Sequence, residues 1–325
     1  MIATNLKKSV LGKIKLSQYA KVSDFAKSGS MPIRHFSFKF DSKDLDTKFY
    51  LQKEWASAYF AALSIFLTYG EELVIDTARY HRDFIQDPIL KQRITALIGQ
   101  EALHSKLHNE YNDAMIPRNY PVTLYRFLAK KVFEYSFLKF PQPLKLSMMA
   151  GIEHFTAVLA EYMMKHEDHF YQSDDEKTRA LWMWHMIEES EHKDVAYDVY
   201  QVLSGNYALR ISGFALAFVT ILGGVSLGGL LLPFLQNPKN LVSLSFWKEA
   251  KTSANLLFGP KDGVFGSTMG HILDYFRPDF HPNDHDTTAY LEYYKAKLLH
   301  PETGALTPYF VKEFTPPVRA AVTAA

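Results

Sequence analysis

The segment 182–200, WMWHMIEESEHKDVAYDVY, constrains this chain more than any other. It sets His185, Glu189 and His192 at i, i+4 and i+7, which share one face of an α-helix because 3.6 residues complete a turn. Trp182, Met186 and Ala196 lie a step away on that face. Such a helix points two imidazoles and a carboxylate into apolar surroundings. Burying these groups without partners is costly, and a metal ion is the usual partner. Further ligands should therefore come from other helices.

Three segments offer them. A helical pattern begins near Asp46, and Phe60, Ser64, Leu67, Glu71, Val74 and Ala78 form one stripe, apolar except at Ser64 and Glu71. Glu72 falls with Thr68, Asp76 and Arg79 on a polar face, so Glu71 is assigned inward and Glu72 outward. Gly70 is expected to permit close packing or a local bulge. Asp87-Pro88 opens a second helix, where Ile94, Leu97, Glu101, His104 and His108 line one face. Residues 121–140 read as a connecting helix, broken by Pro141 and Pro143. A helix over about 144–170 carries Glu153 as the only acid on a face with Leu146, Met149, Thr156, Ala157 and Ala160. Ser173-Asp174-Asp175 then caps the helix of the first paragraph, which is expected to run to about Leu203.

A single Glu-x-x-His is a weak signal. Here Glu101/His104 and Glu189/His192 both lie on apolar faces, and two further helices each add one inward Glu. That is the ligand pattern of carboxylate-bridged dinuclear sites in four-helix bundles. Two cations a few ångströms apart repel, and four carboxylates offset that charge and bridge it. Hard oxygen with imidazole suits iron or manganese better than soft metals. The candidate ligands are Glu71, Glu101, His104, Glu153, His185, Glu189 and His192, with the four glutamates also catalytic. The expected cofactor is two iron ions, with manganese or zinc as alternatives.

Several residues carry a second reading. His185 is either a ligand or a core histidine bonded to a carboxylate. His108 is expected to support the ligands or to face solvent, and His154 to point away from them. Glu188 competes with Glu189, which is preferred for its spacing to His192. Glu161 reads as an acid at the bundle edge. His281 and His285 form either a mononuclear site or a capped turn, and Trp182, Trp184, Tyr59 and Tyr69 read as core aromatics.

The chain resembles the ferritin-like family of predicted metal-dependent hydrolases. The matching stretches are Gly70-Glu71, GQEALH at 99–104, EHFTA at 153–157, WHMIEESEHK at 184–193 and FRPDFHP at 276–282. They span about Arg34 to Asp286. The arrangement of His185, Glu189 and His192 is also similar to that of di-iron N-oxygenases acting on arylamines, where the extra histidine is a ligand. The resemblance implies an all-α, ferritin-like four-helix bundle with extra helices and an apolar C-terminal helical segment. It implies a dinuclear centre without fixing the reaction.

Composition bounds the rest. A net charge of +1 argues against a nucleic-acid binder, and the absence of cysteine excludes disulfides, thiolate metal sites and a Cys nucleophile. Residues 1–40 hold eight basic residues against Asp24, which reads as a flexible basic arm or as a contact for an anionic membrane surface. Residues 211–235 contain no charge and are long enough to cross a bilayer. They read either as membrane-inserted or membrane-contacting, or as a buried hairpin broken at Gly223-Gly224. Four regions are expected: a basic arm and lead-in, 1–45; the metal-binding bundle, 46–205; the apolar segment, 206–240; and a C-terminal extension packing on the bundle, 241–325.

The leading functional expectation is an O2-activating di-iron oxidoreductase acting on a small hydrophobic substrate, with electrons from a separate donor. The alternatives are a two-metal hydrolase using a metal-bridging hydroxide, and a non-catalytic iron-handling or membrane-associated protein. The expected location is the cytoplasm, or the inner face of a membrane, with a homodimer as a further expectation.

Overall fold

A computed structural model describes residues 31–137, 139–170 and 174–311. Expectations about the arm before residue 31 lie outside the described residues. The chain is all-α, and among the described residues the only β pairing is one isolated bridge, Phe36 to Phe310. Residues 31–40, the expected lead-in, form no helix and no strand beyond that bridge.

The helices are α1 (Glu54–Arg82), α2 (Pro88–Met115), α3 (Val122–Val132), α4 (Gln142–Lys165), α5 (Glu176–His192), α6 (Val195–Leu203), α7 (Tyr207–Gln236), α8 (Leu244–Phe258), α9 (Met269–Asp274) and α10 (Thr288–Leu298). Their starts follow capping chemistry. Asp87 accepts from Leu90 N with Pro88 in the first turn, Asp175 accepts from Thr178 N, and Asn206 accepts from Leu209 N. Helix α1 packs on α2 and α4, α2 on α5 and α6, and α4 on α5. These contacts close a ring of four long helices around one core. Helix α7 lies across α1 and α4, and α8 and α10 pack outside.

Three expectations are corrected. Helix α1 begins at Glu54, because residues 42–52 turn and Tyr50 N donates to Ser57 Oγ. The last bundle helix does not run to Leu203. It stops at His192 and restarts at Val195. Side chains hold that break: Asp194 accepts from Arg93 at 2.6 Å and Asn283 at 2.9 Å, and Lys193 donates to Thr287 Oγ1 at 3.1 Å. Residues 211–235 are not a hairpin but part of one continuous helix. Gly224 faces the Phe66 ring, Gly228 the Tyr125 ring and Gly229 the Tyr59 ring. Missing side chains let α7 sit close on α1 and α3, and that packing offsets the poor helix propensity of glycine.

Candidate metal centre

The ring brings all seven sequence-derived ligands together. Glu71 comes from α1, Glu101 and His104 from α2, Glu153 from α4, and His185, Glu189 and His192 from α5. None is more than 4 % exposed. Ligand atoms of Glu101, His104, Glu189 and His192 lie within 4.8 Å of one another, as do those of Glu71, His108 and His185. Glu153 joins through His192, and His185 Nε2 stands 4.0 Å from Glu71 Oε1, so the two groups are continuous.

Each of the three histidines has one ring nitrogen held by a partner and the other turned to the centre. His104 Nε2 bonds Glu188 Oε2 at 3.1 Å. Its Nδ1 has no hydrogen-bond partner and stands 3.4 Å from Glu101 and 3.8 Å from Glu189. His192 Nδ1 bonds Glu153 Oε2 at 2.6 Å, while its partnerless Nε2 lies 3.2 Å from Glu101 Oε1. His185 is fixed by a chain. Ser64 donates its hydroxyl to Asn112 Oδ1, so it must accept from His108 Nδ1–H. His108 Nε2 is then an acceptor and takes the proton of His185 Nδ1 at 2.7 Å. In neutral His185 the Nε2 lone pair therefore points at Glu189 Oε1, 2.7 Å away.

Electrostatics sharpen the problem. Burial pushes Glu71 well above the usual carboxylate range, and Glu101, Glu189 and Glu153 push it further. Burial also raises Glu153, which His192 only partly opposes. For Glu189 burial acts upward, but His192, His185 and His104 outweigh it and hold it low. Burial acts to lower His104 and His192, yet neighbouring carboxylates raise both. His185 is lowered by burial and by His104. Both Glu71 oxygens and Glu101 Oε1 have no hydrogen-bond partner. Buried polar atoms left this way are costly, and a cation among them would satisfy carboxylate oxygens and imidazole lone pairs at once. The donor set, all oxygen and imidazole, fits a hard or borderline metal.

The centre borders two narrow, apolar-walled gaps. Phe66, Leu67, Ile152 and Ile221 wall one beside the four glutamates, and Leu63, Leu159, Met163 and Met186 wall the other beside His185 and Glu189. Gly70 lines the first, where a side chain would enter open space. Its role is therefore to leave room, since α1 is unbroken there and shows neither the expected bulge nor a close contact.

Glu72 is exposed, as assigned. His108 is fully buried and bonded to His185, so solvent exposure is ruled out for it. Glu188 binds Arg34 and His104 instead of lying on the Glu189 side. Glu161 is buried away from the centre and bonded to the partly exposed Lys165 and His271. His154 donates to or accepts from nothing at the centre and meets the His271 carbonyl. His281 and His285 do not converge: His281 caps a turn and pairs with Asp198, while His285 stacks on His271 and pairs with Asp274. Tyr59, Trp182 and Trp184 are core, and Tyr69 is half-buried against Phe133.

Sequence reasoning missed Arg34, Glu191 and the hydroxyl of Thr156. Arg34, counted with the basic arm, is buried and binds Glu188 at 2.9 Å and Glu191 at 2.7 and 2.8 Å. Thr156 donates to Glu189 Oε2. The available signal was the acid-rich run Glu188, Glu189, Glu191, whose three carboxylates cannot share one helix face and so call for cations elsewhere.

A helical ring with a buried Glu/His cluster defines a metal-binding protein of the all-α class. A family model described as predicted metal-dependent hydrolase matches residues 32–286, and the chain belongs to that family. No curated protein and no solved structure matches it.

Proposed function

We propose that the chain is a dinuclear metal-dependent hydrolase. The observation that carries this reading is the set of three buried histidines, each locked at one nitrogen and open at the other toward four buried glutamates. His104 would bind through Nδ1, and His185 and His192 through Nε2, with Glu71, Glu101, Glu153 and Glu189 supplying oxygens. Iron, manganese and zinc all suit this donor set. A bound metal pair supplies an acidified water and a Lewis acid for the scissile carbonyl or phosphoryl group. The chain's own part is orientation. Glu188 accepts from His104, Glu153 from His192, and His108 from His185, which fixes the ring planes. Arg34 in turn holds Glu188. The apolar walls keep bulk water out and suit a substrate with an apolar portion.

A second reading, O2-dependent oxidation of a small hydrophobic substrate with a separate electron donor, is favoured by one feature. The site takes one Glu from each of two helices and Glu-x-x-His from each of the other two, the set used by di-iron carboxylate proteins. Metal analysis of the full-length protein tests the centre: two metals per chain are expected, and far less in Glu101→Ala and His192→Ala. If both variants keep two metals, the assignment is wrong. Turnover of aryl ester, amide and phosphoester panels under nitrogen supports hydrolysis. Activity that appears only with O2 and a reductant supports oxidation, and iron oxidation without an organic product supports the iron-handling role.

A further inference from the structure

The outer face of α7 has no partner among the described residues. Its inner face is packed from Arg210 to Pro233 on the bundle, with buried positions at helical spacing along its whole length. Its outer face carries Val219, Leu227 and Leu230, all exposed. Only a third of its most apolar stretch is buried, against 89 % for α1, which is one residue shorter. The apolar surface continues on both sides. Tyr125 of α3 donates to the Gly224 carbonyl, which sets the exposed Phe127 helix alongside. Beyond α7, Trp247 packs on Phe234 at 5.6 Å and stays 47 % exposed, and Val242 is 88 % exposed.

The charge along this segment has one sign as far as Lys248, and the next residue, Glu249, is half-buried and accepts from Ser253 and from Trp55 N. From residue 199 to 248 there is no Asp or Glu. Arg210 is buried and bonded, whereas Lys239, Lys248 and Lys251 are exposed around Val242 and Trp247. An exposed apolar stripe edged by lysines and a half-exposed tryptophan matches the interface of an anionic bilayer. Because the inner face of α7 is bound along its full length, the helix cannot be ringed by lipid. It would lie in the membrane plane.

We propose that the outer face of α7, with residues 241–247, docks in the plane of an anionic phospholipid membrane, and that the chain does not span it. The lysines meet headgroup phosphates, while Val219, Leu227, Leu230 and Trp247 enter the acyl boundary.

Flotation of the full-length protein with vesicles tests this. Vesicles of phosphatidylcholine with phosphatidylglycerol should carry the protein up the gradient, and phosphatidylcholine alone much less. Leu227→Asp with Leu230→Asp should weaken binding by at least about tenfold, with helical circular dichroism and metal content unchanged. Lys239→Glu with Lys248→Glu, which leaves the apolar stripe intact, should reduce binding to the anionic vesicles only. Vesicles should also blue-shift the emission of the wild type but not of Trp247→Phe. Wild-type protein that stays at the bottom of the gradient overturns the proposal, as does equal flotation of the Leu227/Leu230 variant. A dimer that the same variant converts to monomer, without vesicle binding, assigns the face to a second copy of the chain and overturns it too.

Discussion

Arg34 grips the carboxylate of Glu191 with both terminal guanidinium nitrogens, at 2.7 and 2.8 Å, across 157 residues of sequence. This ties the extended lead-in to α5 beneath the metal centre. Both partners are buried, so the pair orders the segment and, together with Lys295, offsets the acids that α5 encloses.

Removing that cation leaves buried Glu188 with His104 and Glu191 with Lys295 and Gln100, one positive charge fewer for two buried acids. Arg34→Ala should therefore cost roughly 3–5 kcal/mol, read as a lower urea midpoint. Arg34→Lys should recover only part, because an ammonium cannot reproduce the two-pronged grip.

Glu71 has no hydrogen-bond partner at either oxygen, and burial pushes its pKa up. Metal-stripped protein should therefore gain from its loss. Glu71→Leu is expected to stabilise the chelator-treated chain by about 1–3 kcal/mol while lowering its metal content. Thermal melts with and without chelator should show metal stabilising the wild type more than the variant.

Gly151 lies two residues before Glu153 where α4 meets α7, and a Cβ there would fall 2.8 Å from the Phe214 backbone. Gly151→Ala should cost about 1–3 kcal/mol by forcing the helices apart. Denaturant titration beside metal analysis would show both effects, since Glu153 moves with α4.

His81 is buried at the end of α1, where burial lowers its pKa and its bond to the Thr77 carbonyl only partly opposes this. The native state thus binds fewer protons than the unfolded chain below the ordinary histidine pKa of about 6.5. Its contribution is fully present above that pH and is lost as pH falls toward the lowered native value. Unfolding midpoints at pH 7 and pH 5 should differ less in His81→Gln than in the wild type.

Much of the centre was legible along the chain. Glu71, Glu101, Glu153 and Glu189 each interrupt an apolar stripe, and helical periodicity alone turns them inward. The roles of the nitrogens were not legible, because they depend on Glu188, His108 and Ser64, which reach the histidines from neighbouring helices. Gly223-Gly224 misleads for a related reason. Locally two glycines weaken a helix, but Gly224 faces the Phe66 ring, and packing against α1 and α4 outweighs the local cost.

The all-α class, the four helices with inward acids and the family can be read along the chain, because burial has a period that a linear chain records. The acids that Arg34 binds, the end of α5, the seat of α7 on the bundle and the open nitrogen of each histidine come from the fold. Those outcomes rest on contacts between residues far apart in the chain, and such contacts leave no periodic trace.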